Sequence, residues 1–444
     1  MAMLLRERFD LVTLTVRLRT KIGDPKIVLR LETNGENGFV QHWEAVLAPD
    51  ALGLDAAKDV HPIGRGRFAF PDETVEALRQ QLDDMEYNGP LWLHLVKSYG
   101  LLGALPWESM LSAIHRPVLR VPDALTRKLT AEQETLNIVL CAGLQLKKTD
   151  TPILALMAIR MIAAVQDRST RVHIFTDAEQ TRRLQQIIPP DYKDHIKITA
   201  PATAQANTSD SKSRQGGNLW LQWIARVVAG TPIDVVHFVG RGYQRGNHAS
   251  LDLMGAPVSR DGFRWRQLIG ADELSPFLMR IGAWSIAFSS FDEDGANFGL
   301  RALADEFSQV RPGPVLHHCI PDDPDAIQLG EVYHFLYSAY RGAVPMVPAV
   351  ALCCQPALAA TNAPNDHFSD TVRFEKFKRL GASAVSPALA TAYRFTEAKE
   401  FEILRQQAAD QKFTNRSQEE LEGVTSALGE INLTLERLAR KAEF

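Results

Sequence analysis

The sequence predicts an α/β protein: a mostly parallel sheet with helices on both faces, preceded by a small β-rich region and followed by a helical extension. Three observations lead there. From residue 136 onward, short apolar runs such as NIVLCAG, DVVHFVG and AWSIAFSS alternate with segments of helical periodicity. Strands that are apolar throughout belong in sheets buried on both faces, and parallel neighbours need crossover helices. Residues 1–50 instead alternate apolar and polar positions, and the last stretch repeats apolar residues at spacings of three and four.

The elements follow in order. DLVTLTVRLR, KIVLRLE and FVQHWEAVLA read as strands, and TNGENG between the second and third is a turn signal, so a hairpin or meander is expected. Pro71 and Asp72 open an amphipathic helix, ETVEALRQQLDDM, with proline where its missing N–H costs nothing. PLWLHLV is an apolar strand, followed by LLGALPWESML. NIVLCAG (137–143) is a strand and PILALMAIRMIAAVQD a helix; RVHIFTD (171–177) is a strand and AEQTRRLQQII a helix. Residues 201–218 are small and polar and read as a loop. LWLQWIARVVAG is a helix leading to the strand DVVHFVG, and ELSPFLMRIG leads to the strand AWSIAFSS (283–290). FGLRALADEFSQV, PVLHHCI and IQLGEVYHFLYSAYRG complete the series as helix, strand and helix. Such a series places its chemistry at the carboxyl ends of the strands.

A chain of 444 residues is expected to hold two or three domains. The divisions expected are a β-rich region at 1–87, the α/β domain at 88–355, a linker at 356–370 (PALAATNAPNDHFSD) and a helical or coiled-coil segment at 371–444. In the last of these, Leu421, Val424, Leu428, Ile431, Leu435 and Leu438 form a heptad seam. The seam fits a helix packed back on its own domain or a coiled coil with another chain. Its narrowness suits one partner helix, and Gly423 and Gly429 each weaken the isolated helix by about 1 kcal/mol.

Composition narrows the functions. Apolar residues make up 45% and charged residues 23%, as in a folded soluble protein. A net charge of -4 argues against a nucleic-acid surface, which needs clustered Lys and Arg. No apolar run approaches the roughly 20 residues that span a bilayer, and MAMLLRERFDLV is too short in apolar residues for a signal peptide, so a cytoplasmic protein is expected. Cys141, Cys319, Cys353 and Cys354 fit neither zinc nor disulfide spacing and read as buried thiols. No metal or cofactor is expected: a Walker-type loop, HExxH and GxSxG are all missing, and GRGYQRG (240–246) does not open an apolar helix. Trp220, Trp223 and Trp284 read as core.

Four segments stand out together. They are LPWESML (105–111), VVHFVGRG (235–242), SIAFSSFDED (285–294) and the series FGLRALADEF, PVLHHCI, PDDPD. In that order they resemble the CHAT domain, a caspase-like protease module of bacterial defence and signalling systems, over residues 88–355. The resemblance implies a caspase-like doubly wound fold. It also implies a histidine base at position 241 and a cysteine nucleophile at the end of the SIAFSS strand. Here position 241 is Arg241, and the gapless register places Phe291 at the nucleophile, with Ser290 there after a shift of one. His237, the first histidine of the motif, reads as a packed, hydrogen-bonded core residue.

The chemistry of that replacement is direct. A thiol protease needs a thiolate and a base that takes its proton near neutral pH. Arginine stays protonated and cannot serve. Phenylalanine cannot attack a carbonyl, and Ser290 lacks a base, so hydrolysis through this pair is expected to be lost. Arg241 is expected instead to pair with Asp292 or Asp294 in the following turn, closing the old cleft. A relocated nucleophile remains an alternative: Ser290, or Cys319 with His317 on the same strand face about 6–7 Å away. A second alternative is a nucleotide-sensing module at the open sheet edge. The leading expectation is a pseudoprotease acting as scaffold, adaptor or inhibitor. Its expected partner is another protein, such as an active caspase-like protease or another defence component, and the C-terminal helix is a route to homo- or hetero-oligomers.

Overall fold

A computed structural model of the protein describes residues 11–359 apart from 20–23, 36–37, 56–60, 63–67, 97–99, 123–133, 144–149, 202–217, 246–247, 255–265, 292–294, 312 and 339–341. The chain divides into two units, Met1–Glu375 and Lys376–Phe444, and every described residue belongs to the first. The heptad residues Leu421, Val424, Leu428, Ile431, Leu435 and Leu438 lie outside the described residues, as do Asp292 and Asp294.

The α/β class and the mostly parallel sheet are present. Fourteen strands form one sheet. Its parallel block is β10 (Ile196–Thr199), β9 (Ser169–Phe175), β8 (Thr135–Cys141), β11 (Val235–Arg245), β14 (Ser285–Ser290) and β15 (Val315–Cys319), in that spatial order. The chain runs outward from β8 to β10, then returns to lay β11 on the other side of β8. Strand order therefore reverses between β8 and β11, the place where an open α/β sheet has its crevice.

Both faces are covered, which is why the central strands β8, β14 and β15 are buried almost along their whole length. On one face lie α3 (Thr151–Ala164), α4 (Ala178–Ile187), α8 (Ile327–Tyr337) and the short α9 (Pro356–Ala359). On the other lie α5 (Leu219–Val227), α6 (Ala271–Ile281) and α7 (Gly295–Val310). Asp177 caps α4 by accepting the Gln180 N–H at 2.9 Å, and Asn218 caps α5 by accepting that of Trp220 at 2.8 Å. Trp220 and Trp223 are buried in the second layer, whereas Trp284, read as core, is half-buried.

Beyond β15 the sheet continues through β16 (Val350–Cys353), antiparallel to β15, then β7 (Val118–Arg120) and β6 (Leu91–Val96). The expected N-terminal strands are β1 (Thr13–Arg19), β2 (Lys26–Gly35) and β3 (Gly38–Leu47). They do not form a sheet of their own. Strand β1 runs parallel to β6, with Leu14 opposite Leu93, so residues 1–87 extend the main sheet. The reason is a shared core: Leu14, Val16 and Leu29 pack with Leu93, Leu105 and Trp107. Helix α1 (Asp72–Asp84) buries Leu78 and Leu82 against the same cluster, which also takes in α2 (Trp107–Met110). A two-stranded ladder, β4 (Leu54–Asp55) with β5 (His61–Pro62), completes this end. Among the described residues, no helix is long and apolar enough to cross a membrane.

One departure bears on the site. DVVHFVGRG reads as a strand entering a turn, but β11 does not turn there. Its residues from Val235 to Gly240 pair with β14, and those from Arg241 to Arg245 pair antiparallel with β12 (His248–Met254), which pairs in turn with β13 (Arg266–Ile269). The strand thus leaves the main sheet as a three-stranded arm. Gly299 of α7 makes room for the arm: a Cβ there would lie 2.6 Å from the Gly242 carbonyl carbon and the Tyr243 nitrogen.

Candidate functional site

The site is the carboxyl edge of β11, β14 and β15. Strands β11 and β14 stay in parallel register up to Gly240 opposite Ser290, so Arg241 and Phe291 are the next residues on adjacent strands. The two positions singled out by the resemblance are brought side by side, and both are half-buried. Phe291 packs against the core on the α3 and α8 side.

The partner expected for Arg241 is not seen, because Asp292 and Asp294 lie outside the described residues. The residue that the arm places directly opposite Arg241 is Asp252, which is fully buried. Directly opposed residues on an antiparallel pair have Cβ atoms about 4.5–5.5 Å apart, within reach of a charge-assisted contact. Sequence reading missed Asp252 because it took the arm for a turn. The alternating HASLDLM that follows Gly246 and Asn247 was the available signal. The same hairpin leaves Tyr243 43% and Leu268 52% exposed beside Arg241 and Asp252.

The remaining nucleophile candidates sit within the sheet. Strand periodicity sends Ser290, His317 and Cys319 to the α7 face, where Ser290 and His317 are fully buried and Cys319 is 2% exposed. Burial, joined by a hydrogen bond to Asp322, pushes the Cys319 thiol up to about 11, so it is protonated at neutral pH. His317 makes no hydrogen bond through either ring nitrogen; burial, with Arg301 nearby, holds its imidazole neutral, well below the ordinary value. It faces a small cavity lined by Arg120, Arg301, Asp305, Ser308 and Cys353.

That cavity borders a buried ion cluster centred on the LPWESML segment. Glu108 accepts two hydrogen bonds from Arg120, from Nε at 2.7 Å and from Nη2 at 3.2 Å, and lies 3.7 Å from Arg301 Nη1. Arg120 also donates to the carbonyls of Gly103 and Leu105, and Asp305 approaches it at 3.9 Å. The Trp107 indole N–H donates to Leu102. The segment therefore fastens β7 and α7 to the turn that carries it, with two arginines balanced by two carboxylates.

On the opposite face, five buried polar groups meet beneath Arg241 and Phe291. His237 Nε2 is 2.6 Å from Ser289 Oγ, and its Nδ1 is 3.0 Å from the Tyr333 hydroxyl. Ser289 Oγ is also 2.9 Å from His318 Nδ1. His318 Nε2 lies 3.3 Å from Asp323 Oδ2, close but not aligned as a good hydrogen bond. Asp323 accepts the Ile327 and Leu329 N–H groups at the start of α8. His237, Ser289, His318 and Tyr333 are at most 1% exposed. Burial holds His237 well below the ordinary imidazole range and raises the Tyr333 hydroxyl. Burial pulls Asp323 upward, but His318 and the α8 amides outweigh it and keep the carboxyl below its usual range. The core role expected of His237 is what the structure shows. Ser289 and Tyr333 were not expected, since neither carries a local motif.

The chain matches no family model, no curated protein and no solved structure.

Proposed function

We propose that the protein is a caspase-like pseudoprotease that works by binding another protein, as scaffold, adaptor or inhibitor in a bacterial defence or conflict system. The observation that carries this reading is the pair Arg241 and Phe291, side by side at the carboxyl ends of two parallel strands. A cation that cannot take a proton and a ring that cannot attack occupy the two places where this resemblance requires a base and a nucleophile. Ser290 and Cys319 are enclosed, which leaves no nucleophile open to a peptide at this edge among the described residues. The half-exposed Tyr243 and Leu268 beside Arg241 supply the aromatic, apolar and guanidinium groups that interfaces favour. The partner on this reading is an active caspase-like protease or another component of the same system, and the heptad seam at 421–438 is a second contact. The compartment is the cytoplasm, consistent with four buried cysteines that form no disulfide.

The test compares capture of co-expressed candidate partners by wild type, Tyr243→Ala/Leu268→Ala and a chain lacking 417–444. The reading expects each change to weaken capture at least severalfold. Equal capture by all three would remove both surfaces from the account.

A further inference from the structure

We infer that Tyr333, His237, Ser289, His318 and Asp323 form a one-way hydrogen-bond latch that ties the carboxyl ends of β11, β14 and β15 to α8 and so holds the edge carrying Arg241 and Phe291. The latch stands on geometry. Four groups from four elements are joined by hydrogen bonds at 3.0, 2.6 and 2.9 Å, and Asp323, in the turn between β15 and α8, faces His318 Nε2 at 3.3 Å. The path closes on itself, because Asp323 caps the helix that carries Tyr333.

Asp323 sets the direction. Its carboxylate would repel a lone pair on His318 Nε2 at 3.3 Å, so that nitrogen carries the proton. In a neutral ring Nδ1 is then an acceptor, and the single Ser289 hydroxyl proton is donated to it. With that proton committed, Ser289 Oγ accepts from His237 Nε2–H. His237 Nδ1 is left as an acceptor and takes the Tyr333 O–H. Every proton is used once and each ring nitrogen has its role. Running the chain the other way would leave the Tyr333 proton in an apolar layer without an acceptor, a costly arrangement.

The Ser289, His318 and Asp323 portion contains the residue types of a hydrolytic triad. It is not one here. Ser289 is fully buried, its oxygen already lies against two imidazoles, and Phe291 follows two residues on along the same strand face. What the chain of bonds does is fix three strand ends relative to one helix, directly below the positions proposed to meet a partner.

The test uses the full chain. Long-range nitrogen–proton spectra of the imidazoles near neutral pH should show both His237 and His318 as neutral rings protonated on Nε2. Tyr333→Phe keeps the ring and removes the terminal donor. Amide exchange at 239–242 and 289–291 should then quicken about tenfold, the scale of one lost buried hydrogen bond, with β9 unaffected. A fluorophosphonate probe should leave Ser289 unlabelled. The latch is overturned by a His237 ring protonated on Nδ1, by a doubly protonated His318, by labelling of Ser289, or by unchanged exchange in a folded Tyr333→Phe. If that variant fails to fold, the ring protonation states of wild type decide alone.

Discussion

Three buried histidines make the stability of this protein depend on pH in a calculable way. His173 is pushed down to about 4 by burial with Lys197 and Arg171 nearby, and His237 and His317 lie well below the ordinary value of 6.5, chiefly through burial. In the folded protein all three stay neutral at pH 5.5. Unfolded, each titrates near 6.5, so below that value the unfolded chain binds more protons and stability falls with pH. From pH 7.5 to 5.5 each histidine removes about 1.4 kcal/mol, and the three together about 4 kcal/mol, a large part of a typical 5–15 kcal/mol. Glu273 and Glu306, raised mainly by burial, oppose the trend, most strongly in the carboxylate range below about pH 5. Guanidinium unfolding at several pH values measures the loss, with the midpoint falling at constant slope. His317→Leu is the sharper perturbation. His317 has no hydrogen-bond partner to orphan, so the substitution should remove about a third of the pH dependence. A stability that is flat or rises toward pH 5.5, or a His317→Leu curve parallel to wild type, would refute the assignment of these rings as neutral.

Other outcomes follow from the packing around the site. Glu108→Ala leaves Arg120 and Arg301 buried without their shared carboxylate and should destabilise by about 3–5 kcal/mol, read as a large drop in the unfolding midpoint. Gly299→Ala drives a methyl to 2.6 Å from the arm backbone and should cost about 1–3 kcal/mol, with the near-ultraviolet signal of the native fold retained. Asp252→Asn keeps shape and removes charge opposite Arg241. It should lower stability by more than Asp194→Asn at an exposed position, and equal effects would argue against a contact between Arg241 and Asp252.

The sequence made some of this legible and concealed the rest for physical reasons. Strands such as Ile138–Cys141 and Ile286–Phe288 are apolar at every position because helices cover both faces, and that pattern shows directly in the residues. The adjacency of Arg241 and Phe291 was accessible too, since each follows a buried stretch of strand in a parallel series. The arm was not. Glycines at 240 and 242 read as turn residues, whereas here they lie within one strand that changes partners and passes against Gly299 of α7. Short strands such as Val118–Arg120 and Val350–Cys353 lack the length for a periodic signal and form only because neighbours supply the ladder. The bonds among His237, Ser289, His318 and Tyr333 join residues 29 to 96 positions apart, and no local pattern announces them. The role of Glu108 likewise depends on Arg120 and Arg301, which only the fold brings together.

The most direct test of the central claim is peptide-library cleavage read by mass spectrometry. It would use wild type, Ser289→Ala, Ser290→Ala and Cys319→Ala beside Arg241→His/Phe291→Cys, which restores an imidazole and a thiol at the two strand ends. The account predicts no cleavage by wild type, alone or with lysate as a source of activators. It also predicts that the thiol of the restored pair alkylates faster than any native cysteine, as a thiol beside an imidazole should. Cleavage by wild type that one of the single substitutions abolishes would contradict it and establish an enzyme with a relocated nucleophile.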